Sequence, residues 1–111
     1  MKKIYYLKTC DTCRRILKEM DKTDFVLQEI KSNPITVKQL EELAQLTNNY
    51  EVLFSKRSKK YTQMDLKSQI LTERDYKQLI LEEYTFLKRP IIVNENTILV
   101  GNTLKNVTFI E

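Results

Sequence analysis

The chain alternates compact apolar runs with stretches of helical spacing, and their order predicts the architecture. Ile4-Tyr5-Tyr6-Leu7 reads as a short buried strand. Cys13, Ile16, Leu17 and Met20 follow at i, i+3, i+4 and i+7, the spacing of one helical face. Residues 21–24 are polar and residues 25–30 read as a second strand, giving β-α-β with a parallel crossover. After Lys31-Ser32-Asn33-Pro34, Thr36 and Gln39 form a capping-box pattern ahead of Val37, Leu40, Leu43 and Ala44. Asn48-Asn49 interrupts that helix, and residues 50–54 form a short apolar segment. Met64, Leu66, Ile70 and Leu71 suggest a further helical piece. A second cap pattern, Thr72-Glu73-Arg74-Asp75, leads into Tyr76, Leu79, Ile80 and Tyr84, a stripe read as core.

Pro90 stands immediately before Ile91-Ile92-Val93, at a strand position where a missing N–H falls outside the ladder. Asn94-Glu95-Asn96 reads as a tight turn into Thr97-Ile98-Leu99-Val100, an antiparallel partner. Gly101, the only glycine, follows that strand directly and marks a backbone that needs positive φ or a close approach. Leu104, Val107 and Ile110 sketch a last short helix. The order β-α-β, helical middle, β-β-α predicts an α/β, thioredoxin-like fold. It is expected as a single domain over residues 1–111, with a helical insertion at about 35–85.

The chemistry concentrates at the first strand-to-helix junction, Lys8-Thr9-Cys10-Asp11-Thr12-Cys13-Arg14. A thiol at a helix start feels unpaired N–H groups and the positive end of the helix dipole, and both favour thiolate. Cysteine pKa values in such settings drop from ~8.5 into a range of roughly 3.5–7.5. Cys13, one helical turn on, is placed to attack a mixed disulfide on Cys10. Two other readings stay open at this point. A structural disulfide closing so short a loop contributes only about 2 kcal/mol. A zinc site needs about four ligands, and the chain has no histidine and two cysteines, so carboxylates would have to complete it.

Composition narrows the classes. Hydrophobic residues make up 41% and charged residues 31% of the 111 positions, ordinary for a globular protein. The absence of histidine excludes Cys-His and Ser-His-Asp catalysis and leaves thiolate chemistry supported by Arg, Lys and backbone dipoles. Net charge is +4 with charges interspersed, so no direct DNA binding is expected. Four apolar residues between Met1-Lys2-Lys3 and Lys8 fall short of a signal-peptide core, and no run reaches a membrane span, so a cytoplasmic chain with no membrane contact is expected. The loop Ser55-Lys56-Arg57-Ser58-Lys59-Lys60-Tyr61 carries four basic residues in five. Both a solvated loop and an oxyanion-binding loop fit it.

Four motifs then coincide in order: Cys10-x-x-Cys13-Arg14, Ser55-Lys56-Arg57-Ser58-Lys59, Leu87-Lys88-Arg89-Pro90-Ile91-Ile92-Val93 and Val100-Gly101. Together, over essentially the whole chain, they resemble the family of glutaredoxin-linked arsenate reductases and Spx-type redox regulators. The resemblance implies a thioredoxin-like core with an inserted helical subdomain, a nucleophilic Cys10, a resolving Cys13 and a cis Arg89–Pro90 bond. It also implies that Arg57, Arg89 and Arg14 bind an anion or stabilise the thiolate, that Gly101 is structural, and that no metal or bound cofactor takes part. The reductases carry a further arginine where this chain has Val100-Gly101, and lack a cysteine at the Cys13 position. Both departures match the Spx branch. The expectation is a thiol-disulfide redox protein, with glutathione or another small thiol as co-substrate, or glutaredoxin or thioredoxin as partner. The alternative is a redox-sensing transcriptional regulator that grips the RNA polymerase α subunit.

Overall fold

In a computed structural model, residues 1–101 are described, and the chain divides into two compact units, Met1–Asn33 with Arg89–Glu111, and Pro34–Lys88. The last helix expected around Leu104, Val107 and Ile110 lies outside the described residues. No helix among the described residues is long and apolar enough to cross a membrane.

The first unit holds β1 (Lys2–Tyr6), α1 (Asp11–Glu19), β2 (Val26–Glu29), β3 (Ile91–Asn94) and β4 (Thr97–Val100). They form one four-stranded sheet in the order β2-β1-β3-β4. β1 and β2 run parallel, with Ile4 beside Leu27, while β3 is antiparallel to both β1 and β4. Ile4, Ile92 and Leu99 lie side by side across three strands and so share one face. Ile16 and Leu17 of α1 pack on that row, with Tyr6, Met20 and Phe25 at its border. The i, i+3, i+4 stripe read from the sequence is therefore the helix face that buries the sheet.

The β3–β4 hairpin turns at Glu95, whose φ of 56° is left-handed, a conformation a residue with a Cβ adopts at some cost. Two contacts with the chain start hold it there. The Glu95 N–H donates to Met1 C=O at 2.8 Å, and the terminal ammonium donates to Glu95 Oε2 at 2.8 Å. At the other end of the hairpin Gly101 has φ 44°, and its N–H donates to Pro90 C=O at 2.7 Å.

The second unit is helical: α2 (Val37–Thr47), α3 (Lys59–Gln63) and α4 (Glu73–Glu82), with 3-10 turns at Glu51–Leu53, Leu66–Ser68 and Tyr84–Phe86. Thr36 with Gln39, and Thr72 with Asp75, form complete reciprocal capping boxes. Asn48 ends α2 in the left-handed conformation, which short polar side chains tolerate. Phe54 organises the unit's core. Its ring stacks on Phe86 at 5.0 Å between centroids and meets Tyr76 at 4.9 Å and Tyr61 at 6.1 Å. An antiparallel backbone bridge pairs Phe54 with Leu87.

Two local expectations need correction. Of Met64, Leu66, Ile70 and Leu71, only Leu66 is buried, and Ile70 is 97% exposed. Asp65, with φ 51°, breaks the backbone between α3 and the Leu66–Ser68 turn, so these apolar residues never share a helical face. The basic loop is also partly helical, because the Ser58 hydroxyl accepts the Lys60 N–H and starts α3.

The capping boxes give a direct stability test. Thr72→Ala leaves the Asp75 N–H without its hydroxyl acceptor and is expected to cost about 1 kcal/mol. The urea midpoint should fall at unchanged slope. A midpoint equal to wild type would show that the box adds nothing to helix α4.

Candidate functional site

Cys10 is the N-cap residue of α1, with the extended backbone usual there (φ −86°, ψ 119°). The turn that delivers it is closed by its own N–H donating to Leu7 C=O at 3.1 Å. Its carbonyl accepts the Arg14 N–H at 3.0 Å, the first bond of the helix. No side chain closes this cap with a hydrogen bond, so the N–H groups of Thr12 and Cys13 are left facing the Cys10 sulfur.

That geometry separates the two thiols. Partial burial alone would raise the Cys10 pKa, but it is outweighed by the Cys13 N–H, the Cys13 thiol, the positive charge of Arg89 and the Thr12 N–H. The net result lies below the ordinary thiol value. Cys13 is fully buried, and burial first of all pushes its thiol up to about 12. The Leu7 N–H and Arg89 pull the other way without reversing this, and the neighbouring Cys10 adds to the rise. At neutral pH the pair is thus one accessible, acidic sulfur over one buried, protonated sulfur. Both are free thiols.

Arg89 reaches this site from a position nearly eighty residues away in the chain, because β3 pairs directly beside β1. The Arg89–Pro90 bond is cis, and Pro90 C=O is tied to Gly101, so the segment carrying Arg89 is fixed to the end of β4. Arg14 is exposed and its guanidinium pairs with Asp11 one turn earlier. Arg57 belongs to the helical unit, where its side chain is exposed and its N–H donates to Ser55 Oγ at 3.3 Å. Among the described residues no group of three or more His, Cys, Asp or Glu is arranged to hold a metal ion.

One participant carries no signal in the sequence. Glu29, the last residue of β2, accepts the Lys8 N–H within the turn that precedes Cys10. A carboxylate at a strand end looks like any other solvated charge until the register brings Tyr6 beside Glu29.

What such a pair can do is exchange with a disulfide: an acidic thiolate to attack, and a second thiol within the same helical turn to displace the intermediate. Comparison with known proteins points the same way. The model of the ArsC family matches residues 5–108. Global transcriptional regulator Spx 2 of Bacillus anthracis is 28% identical over 101 residues, covering 88% of this chain and 77% of its own. Global transcriptional regulator Spx of Bacillus subtilis matches with the same identity and coverage. Among solved structures, an ArsC family related protein from Bacteroides fragilis superposes with a TM-score of 0.78 at 23% identity, covering 90% of this chain and 88% of that one. That likeness is one of fold, a thioredoxin-like α/β arrangement.

The split in acidity is testable by residue-resolved alkylation across pH. Because the Cys10 pKa is depressed, its rate should climb through a midpoint below that of an ordinary free thiol. Cys13, raised to about 12, should remain unlabelled in the folded protein through neutral pH. Equal labelling rates at the two positions would contradict the assignment.

Proposed function

Because the chain belongs to the ArsC family, we propose that it is a thiol-disulfide redox protein that cycles Cys10 and Cys13 between dithiol and disulfide. The observation that carries the reading is the division of acidity within one helical turn. The Cys10 thiolate attacks one sulfur of a substrate disulfide, forming a mixed disulfide and releasing the other sulfur as thiolate. Cys13 then gives up its proton and attacks the Cys10 sulfur, which releases the second substrate thiolate. The substrate gains two electrons, and the protein is left with a Cys10–Cys13 disulfide. Two thiol equivalents, from glutathione or another small thiol, or one dithiol of glutaredoxin or thioredoxin type, return it to the reduced state. Formation of the mixed disulfide leaves Cys13 next to a neutral sulfur, which lowers the barrier to its ionisation. The reading places the protein in a reducing compartment, the cytoplasm, where a CxxC pair stays reduced until used.

Arg89 is the cation assigned to the Cys10 thiolate. Its charge favours the ionised form of both thiols. Arg57 and Arg14 are assigned a lesser part, as exposed cations available to an anionic substrate group. Arsenate turnover is expected near background in a glutathione- and glutaredoxin-coupled assay, since an oxyanion of two or three charges calls for several forked cations and Val100-Gly101 supplies none. The likeness to global transcriptional regulators of Bacillus favours a second reading, that of a regulator; in it the same disulfide is the switch and the RNA polymerase α subunit is the proposed partner. Binding to that subunit with and without reductant separates the two.

Under mild oxidant the wild-type protein should lose the mass of two hydrogens, and Cys13→Ser should accumulate Cys10 as a mixed disulfide with added glutathione. Two free thiols after oxidation would remove the cycle. Arg89→Ala should raise the apparent pKa of Cys10 while the thermal midpoint moves by only a few degrees, roughly what 1 kcal/mol produces in a domain of this size. An unchanged pKa would reduce Arg89 to a half-buried cation beside Pro90 with no part in the thiol's acidity.

A further inference from the structure

The carboxylate of Glu29 spans two turns with no oxygen to spare. Oε2 accepts the Lys8 N–H at 3.1 Å. Oε1 accepts the Ser32 N–H and the Ser32 hydroxyl, each at 2.8 Å. Lys8 is the second residue of the Leu7-to-Cys10 turn, the one closed by Cys10 N–H to Leu7 C=O. Ser32 lies in the turn after β2, closed by Asn33 N–H donating to Glu29 C=O at 2.9 Å. The Glu29 backbone is itself pinned, because Ile30 N–H continues the ladder onto Tyr6 C=O at 2.9 Å. A charged acceptor standing on a fixed strand end thus holds the middle of the turn that delivers Cys10.

We propose that Glu29 is a positioning residue for the Cys10 thiolate, setting the turn so that the sulfur stays in line with the Thr12 and Cys13 N–H groups. This rests on the thiolate reading of Cys10 given above and extends it to a residue that reading does not require. The physical reason is angular. Hydrogen-bond strength falls steeply once the angle at the hydrogen drops toward 120°, so a small rotation of the N-cap residue removes donors from the sulfur. Among the described residues, the turn through Lys8 and Thr9 is anchored by the Cys10–Leu7 bond and by Glu29. A carboxylate is suited to the task because a bond from a backbone N–H to an ionised acceptor is stronger than one to a neutral acceptor. The Lys8 N–H, followed by the Ser32 N–H, holds the Glu29 carboxyl below the usual carboxylate range, so the strap stays charged throughout neutral pH.

Substitutions separate this from charge and from bulk stability, because the three predict different signs. Glu29→Gln keeps the shape but has one acceptor oxygen, and its NH₂ meets a donor at one of the two turns. Glu29→Asp keeps the charge but is one methylene short of spanning both. The readout is the pH dependence of Cys10 alkylation, resolved by mass spectrometry in the full chain, with amide exchange at Lys8 alongside. Positioning requires both variants to raise the apparent Cys10 pKa by roughly half to one unit, slowing alkylation about three- to tenfold at pH values below that pKa. Lys8 exchange must accelerate in both. Ser32→Ala, at an exposed residue and removing one hydroxyl donor, should shift the pKa in the same direction by less. If Glu29 acted by its charge, Gln would lower the thiol pKa by removing a nearby anion and Asp would leave it unchanged, and that outcome overturns the proposal. A lowered thermal midpoint with unchanged Cys10 pKa in all three variants overturns it as well. Disulfide formation between Cys10 and Cys13 is read separately by mass, so the redox cycle and the strap fail independently.

Discussion

The structure of the site depends on the N–H groups at the start of α1, which have no carbonyl partner inside the helix. An Asp, Ser or Thr at the N-cap would satisfy them permanently. Cys10 occupies the cap instead, and its sulfur, a weak acceptor as thiol, becomes a strong one as thiolate. The deficit of the helix end is thereby converted into acidity of one side chain. By contrast, α2 and α4 spend the same deficit on reciprocal capping boxes, which stabilise but do nothing chemically.

Burial does the rest by dividing two chemically identical groups. Cys13 sits on the helix face that carries Ile16 and Leu17 into the core, so its ionised form is penalised before any neighbour is counted. Cys10 lies off that face, and the same desolvation is small enough to be overcome by two N–H groups, a thiol and a guanidinium. One turn of helix therefore holds an attacking and a reserve sulfur, and the order of events follows from position.

The sheet supplies the remaining geometry. Because β3 enters beside β1 and antiparallel to it, the chain immediately before Ile91 comes to the end of the sheet where β1 leads into Cys10. Arg89 is at that point. On the other side, the parallel pairing of β2 with β1 brings Glu29 beside Tyr6, within reach of the Lys8 amide. Two residues from distant stretches thus converge on one turn through strand order alone.

What the sequence by itself determined is what depends on neighbours within a helical turn or along a strand. The boxes at Thr36–Gln39 and Thr72–Asp75, the strand runs, the Glu95 turn and the place of Cys10 before a helix are written in residues three or four apart. Gly101 was legible for the same reason, since a lone glycine after a strand states a backbone requirement, and its φ is 44°. The stretch around Ile70 was not, because apolar spacing promises a helix only if the backbone between stays helical, and Asp65 turns it. Only the tertiary structure decided how deeply Cys13 is buried and that Glu29 meets the Cys10 turn, while Arg89 was named beforehand by the family resemblance and by no local pattern. Those depend on strand order and register, through which residues far apart in the chain are brought to one turn. No local pattern encodes that distance.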